Sequence, residues 1–383
     1  MPIGALKNTL YGLALPIAAK RCGWREVRGG DAQTRASLRR VLKRNRTVGA
    51  CIQRFSKGKP EACYFAGNAV LEPQEQPVEE ETVFRTASVA KMVSALLVFR
   101  LQTLNRLSIY EDISDFLGYQ VRNPHFPDAP VTLGMLLGHT SSIVDSPAYF
   151  EAFDRPTDLS ALLSDRAAYS GAIPGLCFRY SNLGAGMIGC LLEKRFGESL
   201  EALAQRELFR PLGVRATFDA STLEGEPAAD GYRVLPFARC FDAKARISAA
   251  LPLGMPNPER HYLLASGNLY LTAPELSKLI LAAWDGHDGF LDEESLGQMQ
   301  RPVTSWPEKT VRMRHGMGLL QIDDARVCAR PLWGHQGFAY GAVNGVFFDA
   351  DGNGFASLTS GASERRLGHL ARLNMDLISL FFQ

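Results

Sequence analysis

At 383 residues and 42.0 kDa, the chain is too long for one small core and calls for one large composite domain or two lobes sharing a cleft. It is 46% hydrophobic and 21% charged, the balance of an ordinary globular protein, and its 42 basic against 40 acidic residues give no reason to expect nucleic acid or a strongly acidic partner. Seven scattered cysteines (Cys22, Cys51, Cys63, Cys177, Cys190, Cys240 and Cys328) form no C-x-x-C and no Cys/His cluster at zinc spacing. They read as reduced, mostly buried thiols, so a cytoplasmic location is favoured, and no metal or cofactor is expected.

In chain order, the first thirty residues read as an N-terminal extension. Its apolar run from Leu10 to Ala19 is too short to span a bilayer and is the one feature that would favour export. Asp31 to Asn45 has the pattern of a basic amphipathic helix, and Thr47 to Phe55 and Ala62 to Val70 read as a strand pair around a turn at 56–59. The acidic stretch from Glu72 to Glu81 reads as a surface loop. From Ser88 the period becomes helical and apolar nearly all round, so that helix is expected to be buried. Further helices are expected at Leu133 to Leu137, Leu159 to Leu163, Leu183 to Phe196 and Leu200 to Leu208, and another after Thr272 and Pro274, a start signal. Met313 to Ile322, Arg326 to Trp333, Gly341 to Phe348 and Phe355 to Thr359 are strand candidates, with a closing helix from Gly361. This order predicts an α+β fold: one antiparallel sheet built from both chain ends and flanked by helices (about 31–85 and 240–383), with an inserted all-helical lobe (about 86–239).

Three short motifs carry chemistry. Ser88-Val89-Ala90-Lys91 places a hydroxyl and an amine one turn apart at a helix start. A serine becomes nucleophilic only when a neighbour takes its proton, and a lysine takes it only when burial or nearby cations lower its pKa. The apolar MVSALLVF after Lys91 supplies that setting. Ser56-Lys57-Gly58-Lys59 has the same spacing but sits in a charged turn. Tyr180-Ser181-Asn182 offers a phenol for proton relay and an amide for a substrate carbonyl or for Lys91. Trp333-Gly334-His335-Gln336-Gly337-Phe338 reads as the end of a strand whose edge can bind an extended substrate, with glycine permitting close approach.

In this order, and with the connecting segments Phe84 to Ser88, Val131 to Ser141 and Pro211 to Gly213, the chain resembles the serine β-lactamase and penicillin-binding-protein superfamily. The similarity is to its class C β-lactamase, D-Ala-D-Ala carboxypeptidase and esterase-like branch, and it runs from about Thr34 to the C-terminus. The resemblance implies a β-lactamase/transpeptidase-like domain over 31–383. It makes Ser88 the acylated nucleophile, Lys91 its partner, Tyr180 the general base and acid, and Asn182 a donor to the substrate carbonyl. His335 would stand in for the lysine of the family's K-T-G, with the backbone N–H groups of Ser88 and Phe338 as oxyanion hole. Gln336 and Gly337 would complete the substrate-binding strand. Three departures stand out: His-Gln-Gly in place of Lys-Thr-Gly, Ser142 where a glycine is usual, and Asn268 where a Gly-Gly pair is common.

The expected activity is cleavage of ester, amide or β-lactam acyl bonds through a Ser88 acyl-enzyme. The substrate would be a small ester, D-amino-acid peptide or β-lactam, with neither nucleic acid nor a membrane span involved. A D,D-peptidase on cell-wall peptides and a non-turnover penicillin-binding or sensor module are the rival readings. Asp349 to Gly354 copies half of a calcium loop, but Ser360 stands where the bidentate Glu would be, so a hairpin turn is expected there. His139 reads as a satisfied interior histidine, and His287-Asp288-Gly289 as a turn.

Overall fold

A computed structural model describes residues 26–305 and 311–382; the apolar run at 10–19 and Cys22 lie outside them. The centre is a ten-stranded antiparallel sheet. Its strands are β1 (Arg28–Gly29), β2 (Gly49–Ser56), β3 (Lys59–Val70), β4 (Gln76–Pro77), β5 (Thr304–Ser305), β6 (Met313–His315), β7 (Leu320–Ile322), β8 (Leu332–Ala339), β9 (Ala342–Phe348) and β10 (Gly354–Gly361). They lie in the order β1-β3-β2-β10-β9-β8-β7-β6-β5, with β4 pairing β3. Strands from the two chain ends meet where β2 pairs β10, with Ile52 opposite Ser357.

Both faces of this sheet are covered, as period-two alternation requires. Cys51, Val346 and Phe348 join the core shared with α2 (Ala90–Thr103), α3 (Asn182–Phe196) and α4 (Ala273–Asp285). Their neighbours Ile52 and Phe347 join a second core with α1 (Ala32–Arg44) and α5 (Arg372–Phe381), through Leu38, Leu42, Leu373 and Leu377. Helix α1 begins at the Asp31 cap, whose carboxylate accepts from the Thr34 N–H, and α4 begins at Thr272, whose side chain accepts from the Glu275 N–H. In α2 every residue from Ala90 to Phe99 is buried, because helices and the sheet surround it.

Several expected elements differ from the structure. Arg28–Gly29 lies within the supposed extension yet pairs with Phe65 and Tyr64. The loop at 72–81 contains β4 and a fully buried Val78. The expected strand at 313–322 is a hairpin of β6 and β7, because Gly318 at φ +90° turns the chain and the Gly316 N–H reaches the Leu319 carbonyl. Residues 326–331 are not strand: Asp324 caps a turn there, accepting from the backbone and guanidinium of Arg326. The strand therefore starts at Leu332 and runs on to Ala339, so His335-Gln336-Gly337 sits inside it rather than at its end. The expected helix from Leu200 to Leu208 is α-helical only over Leu200–Ala204 and becomes a π turn at Gln205–Phe209. A small hairpin, Arg366–Leu367 with Leu370–Ala371, delays the closing helix to Arg372. The acidic loop after β9 is a hairpin turn, in which Asp349 accepts from the Asp351 and Asn353 N–H groups and from Arg330.

Candidate active site

Ser88 sits on the turn Ala87–Val89 that leads directly into α2. Before it, Thr86 anchors the chain by donating from its N–H and hydroxyl to the Leu269 carbonyl (2.9 and 3.1 Å). Ala87 takes φ +53°, a left-handed conformation costly for a residue with a Cβ, and it turns the chain sharply into the helix. The serine remains partly exposed while its flanks are buried.

Lys91 is 4% exposed and donates to the Ser88 Oγ (3.2 Å), the Asn182 Oδ1 (2.9 Å) and the Ser266 carbonyl (2.6 Å). Burial lowers its pKa to about 7; the Asp145 carboxylate opposes that fall and the Arg85 cation adds to it. An amine so placed is partly neutral near pH 7 and can accept the proton it faces on Ser88.

Tyr180 is hydrogen-bonded to Ser88, and its ring lies 5.1 Å from the Lys91 Nζ. Burial pushes the phenol above its usual range; the Ser88 bond lowers it, Asp145 raises it and Arg366 lowers it. It therefore stays protonated near neutrality. His139 stacks against the Tyr180 ring at 4.4 Å between centroids, and its Nδ1 accepts from the Ser181 N–H (3.3 Å). Burial, reinforced by His315, Lys91 and His335, holds that imidazole neutral. It positions Tyr180 from behind, as an interior histidine.

Asp145 has no motif of its own and sequence reasoning missed it. Its carboxylate accepts from the Ser181 hydroxyl (3.0 Å), the Leu183 N–H (2.9 Å) and the Asn182 Nδ2 (2.8 Å). The start of α3 is thus clamped to the loop before the helix Pro147–Glu151. Asn182 spends its carbonyl on Lys91 and one N–H on Asp145, leaving one N–H for the cleft. Ser142 takes φ +66°, where a glycine would be at ease, and its hydroxyl accepts from the Asn123 amide (2.9 Å). Asn268 ties the Phe218 carbonyl to the Tyr270 hydroxyl.

Strand β8 borders Ser88 from the other side. Strand β7 pairs only with Leu332 to Gly334, so the edge from His335 to Ala339 is open toward the cleft among the described residues. A Cβ added at Gly337 would lie 2.5 Å from the Thr86 carbonyl oxygen and 3.0 Å from the Ser88 nitrogen. Only glycine lets the strand backbone approach the Ser88 turn so closely. His335 is buried, its Nδ1 is 2.8 Å from the Gln336 carbonyl oxygen, and burial together with Lys91 lowers its pKa to about 3. It presents a neutral imidazole at pH 7.

Gln336 has a structural task that its motif did not announce. Successive strand side chains face opposite ways, and its amide donates to the His369 carbonyl (2.6 Å) while accepting from the Ala371 N–H (3.1 Å) and the Asn374 amide (3.3 Å). It braces the C-terminal hairpin and α5, and it also lines the cavity that Ser88 borders. That hairpin returns two residues that sequence reasoning also missed. Arg366 stacks its guanidinium 3.8 Å from the Phe338 ring centre. With His369 it lines a cavity of about 360 Å3 shared with Ser88, Tyr180, His335 and Phe338. No fixed spacing marks either residue; only the fold brings 366–369 against the strand.

Among the described residues, no group of three His, Cys, Asp or Glu side chains is placed to hold a metal, and no helix is long and apolar enough to cross a membrane.

The family model described as Beta-lactamase matches residues 35–378. A probable fimbrial assembly protein FimD, serogroup H1, of Dichelobacter nodosus is 25% identical over 304 residues, 76% of this chain and 69% of that protein. The octameric penicillin-binding protein homologue from Pyrococcus abyssi superposes with a TM-score of 0.73 at 21% identity, covering 91% of this chain and 76% of its own. EstCE1, described as a hydrolase with promiscuous acyltransferase activity, superposes with a TM-score of 0.71 at 19% identity, covering 98% and 100%. Further matches are described as an esterase, a D-amino acid amidase and a D-alanyl-D-alanine carboxypeptidase/endopeptidase. With nearly its whole length matched and its sheet and helices superposing on those relatives, the chain belongs to the Beta-lactamase family.

Proposed function

We propose that this protein is a serine acyl-hydrolase that cleaves small esters and amides through an acyl-enzyme on Ser88. The observation that carries the reading is the buried amine of Lys91, 3.2 Å from the Ser88 hydroxyl with its pKa brought to about 7. In the first half-reaction, the Ser88 oxygen attacks the substrate carbonyl carbon as its proton passes to the Lys91 nitrogen. The backbone N–H groups of Ser88 and Phe338 are the proposed donors to the resulting oxyanion. As the bond to the leaving group breaks, the Tyr180 phenol supplies its proton, and the Lys91 ammonium returns a proton to the phenolate. Water then repeats the sequence in reverse and frees the acid. A phenol held protonated suits the acid half of this cycle better than the base half.

A second reading, a carboxypeptidase acting on D-amino-acid peptides, is favoured by one observation. The neutral His335 provides no permanent charge for a terminal carboxylate, yet Arg366 brings a guanidinium into the same cavity.

The test is intact-mass spectrometry after exposure to a fluorophosphonate, followed by peptide mapping. A single adduct on Ser88 supports the reading. An adduct on Ser56, or none while esters are still turned over, overturns it. Comparing p-nitrophenyl acetate with a D-Ala-D-Ala peptide then separates the two substrate classes.

A further inference from the structure

Ser88 stands between two cavities, and only one of them is reached by the proton donor. The first, of about 360 Å3, is lined by Tyr180 with His335, Arg366 and His369. The second, of about 750 Å3, is lined by Ser88, Asn182 and Phe338 but not by Tyr180. Its remaining walls combine aromatic and aliphatic side chains with the charged Arg85, Asp154, Asp242 and Arg246. Phe150 and Phe153 stack at 6.5 Å with their planes 16° apart, on and just after the helix Pro147–Glu151. Phe241 and Tyr340 stack at 5.6 Å with their planes 25° apart, from the end of the strand Phe237–Phe241 and the β8–β9 turn. Phe150, Phe153 and Tyr340 remain 57%, 52% and 44% exposed, so four rings from three distant segments present apolar surface beside the nucleophile.

This inference rests on the proposed acyl-enzyme. In that cycle the leaving group must lie within reach of the phenol that protonates it, which assigns it to the cavity that Tyr180 lines. The acyl group stays on Ser88 and occupies the other side. We propose that the larger cavity is the acyl pocket and that it selects substrates whose acyl group is bulky and apolar, an arylalkanoyl group or a D-amino-acid residue with an aromatic side chain. Stacked rings offer such a group flat apolar walls, and the cavity is much larger than an acetyl group fills.

The test uses the full chain and two reciprocal esters of equal size, methyl 3-phenylpropanoate and 2-phenylethyl acetate. Wild type should hydrolyse the first with a kcat/KM at least about tenfold above the second, the scale on which an apolar pocket discriminates. Ala245 is exposed and lines the mouth of the larger cavity. Ala245→Trp should narrow that cavity and pull the ratio back toward one. Fluorophosphonate labelling of Ser88 is followed in both proteins. If Ser88 is not labelled in wild type, the acyl-enzyme reading has failed. If Ser88 is labelled and wild type handles the two esters equally or prefers 2-phenylethyl acetate, the pocket assignment is overturned. Labelled Ala245→Trp with an unchanged ratio also overturns it.

Discussion

Two segments of this chain share the spacing Ser-x-x-Lys, and the fold treats them as opposites. Ser56 and Lys59 face each other across a hairpin whose turn residues, Lys57 at φ +49° and Gly58 at φ +71°, take left-handed conformations. There the Ser56 hydroxyl donates to the Asn353 side chain (2.9 Å), and Lys59 projects into water. Ser88 and Lys91 lie at the start of a buried helix, and the lysine is only 4% exposed. Solvation costs decide the difference: an ammonium in water keeps its proton near pH 10, whereas a buried one releases it near neutrality. Spacing brings the two groups together in both segments, and depth lowers the pKa of one amine.

The largest expected effect comes from exchanging the two serines for alanine. Ser88→Ala should lower kcat/KM for a p-nitrophenyl ester by about 10^4 or more, while Ser56→Ala leaves it unchanged. Equal losses in the two variants would erase the distinction.

Next come the lysines. Lys91→Arg keeps a charge that cannot be surrendered, so it should cost about 10^3 in kcat and approach the loss seen in Lys91→Ala; Lys59→Arg should cost nothing. A Lys91→Arg enzyme that still acylates would make Lys91 a fixed charge and leave Tyr180 as the base.

A smaller but sharper effect is expected in the pH profile. The neutral form of Lys91 is the active one, so kcat/KM should fall as pH drops through about 7, where the amine gains its proton. Asp145 raises the pKa of Lys91, so Asp145→Asn should move the midpoint to lower pH; Arg85 lowers it, so Arg85→Gln should move the midpoint up. Shifts in the reverse directions would show that another group sets the profile.

The smallest effect concerns Gln336. Gln336→Thr removes the amide that braces His369, Ala371 and Asn374, and should lower stability by about 2 kcal/mol in a denaturant titration. Ser88 labelling should persist. A change confined to substrate preference, with stability intact, would return this residue to the substrate-binding role that the sequence pattern implied.

Much of the architecture follows rules that act over a few residues, and those parts were legible in the sequence. The caps at Asp31 and Thr272, the apolar run after Ser88, and the alternation in β2 and β3 all act through neighbours close in the chain. Local signals mislead where they are ambiguous: 313–322 reads as one strand because apolar Met313, Met317, Leu319, Leu320 and Ile322 run through both arms and the turn between them, and the Asp324 turn cuts short another. The pairing of Ser88 with Lys91 was readable because both lie within one helical turn. Asp145, Arg366 and the orientation of Gln336 were not. Each acts on a partner many residues away, and no spacing encodes such a meeting. Whether Lys91 is a base, which cavity holds the acyl group, and what occupies the far side of β8 depend on which side chains exclude water around Ser88, and water exclusion is a property of the packed chain.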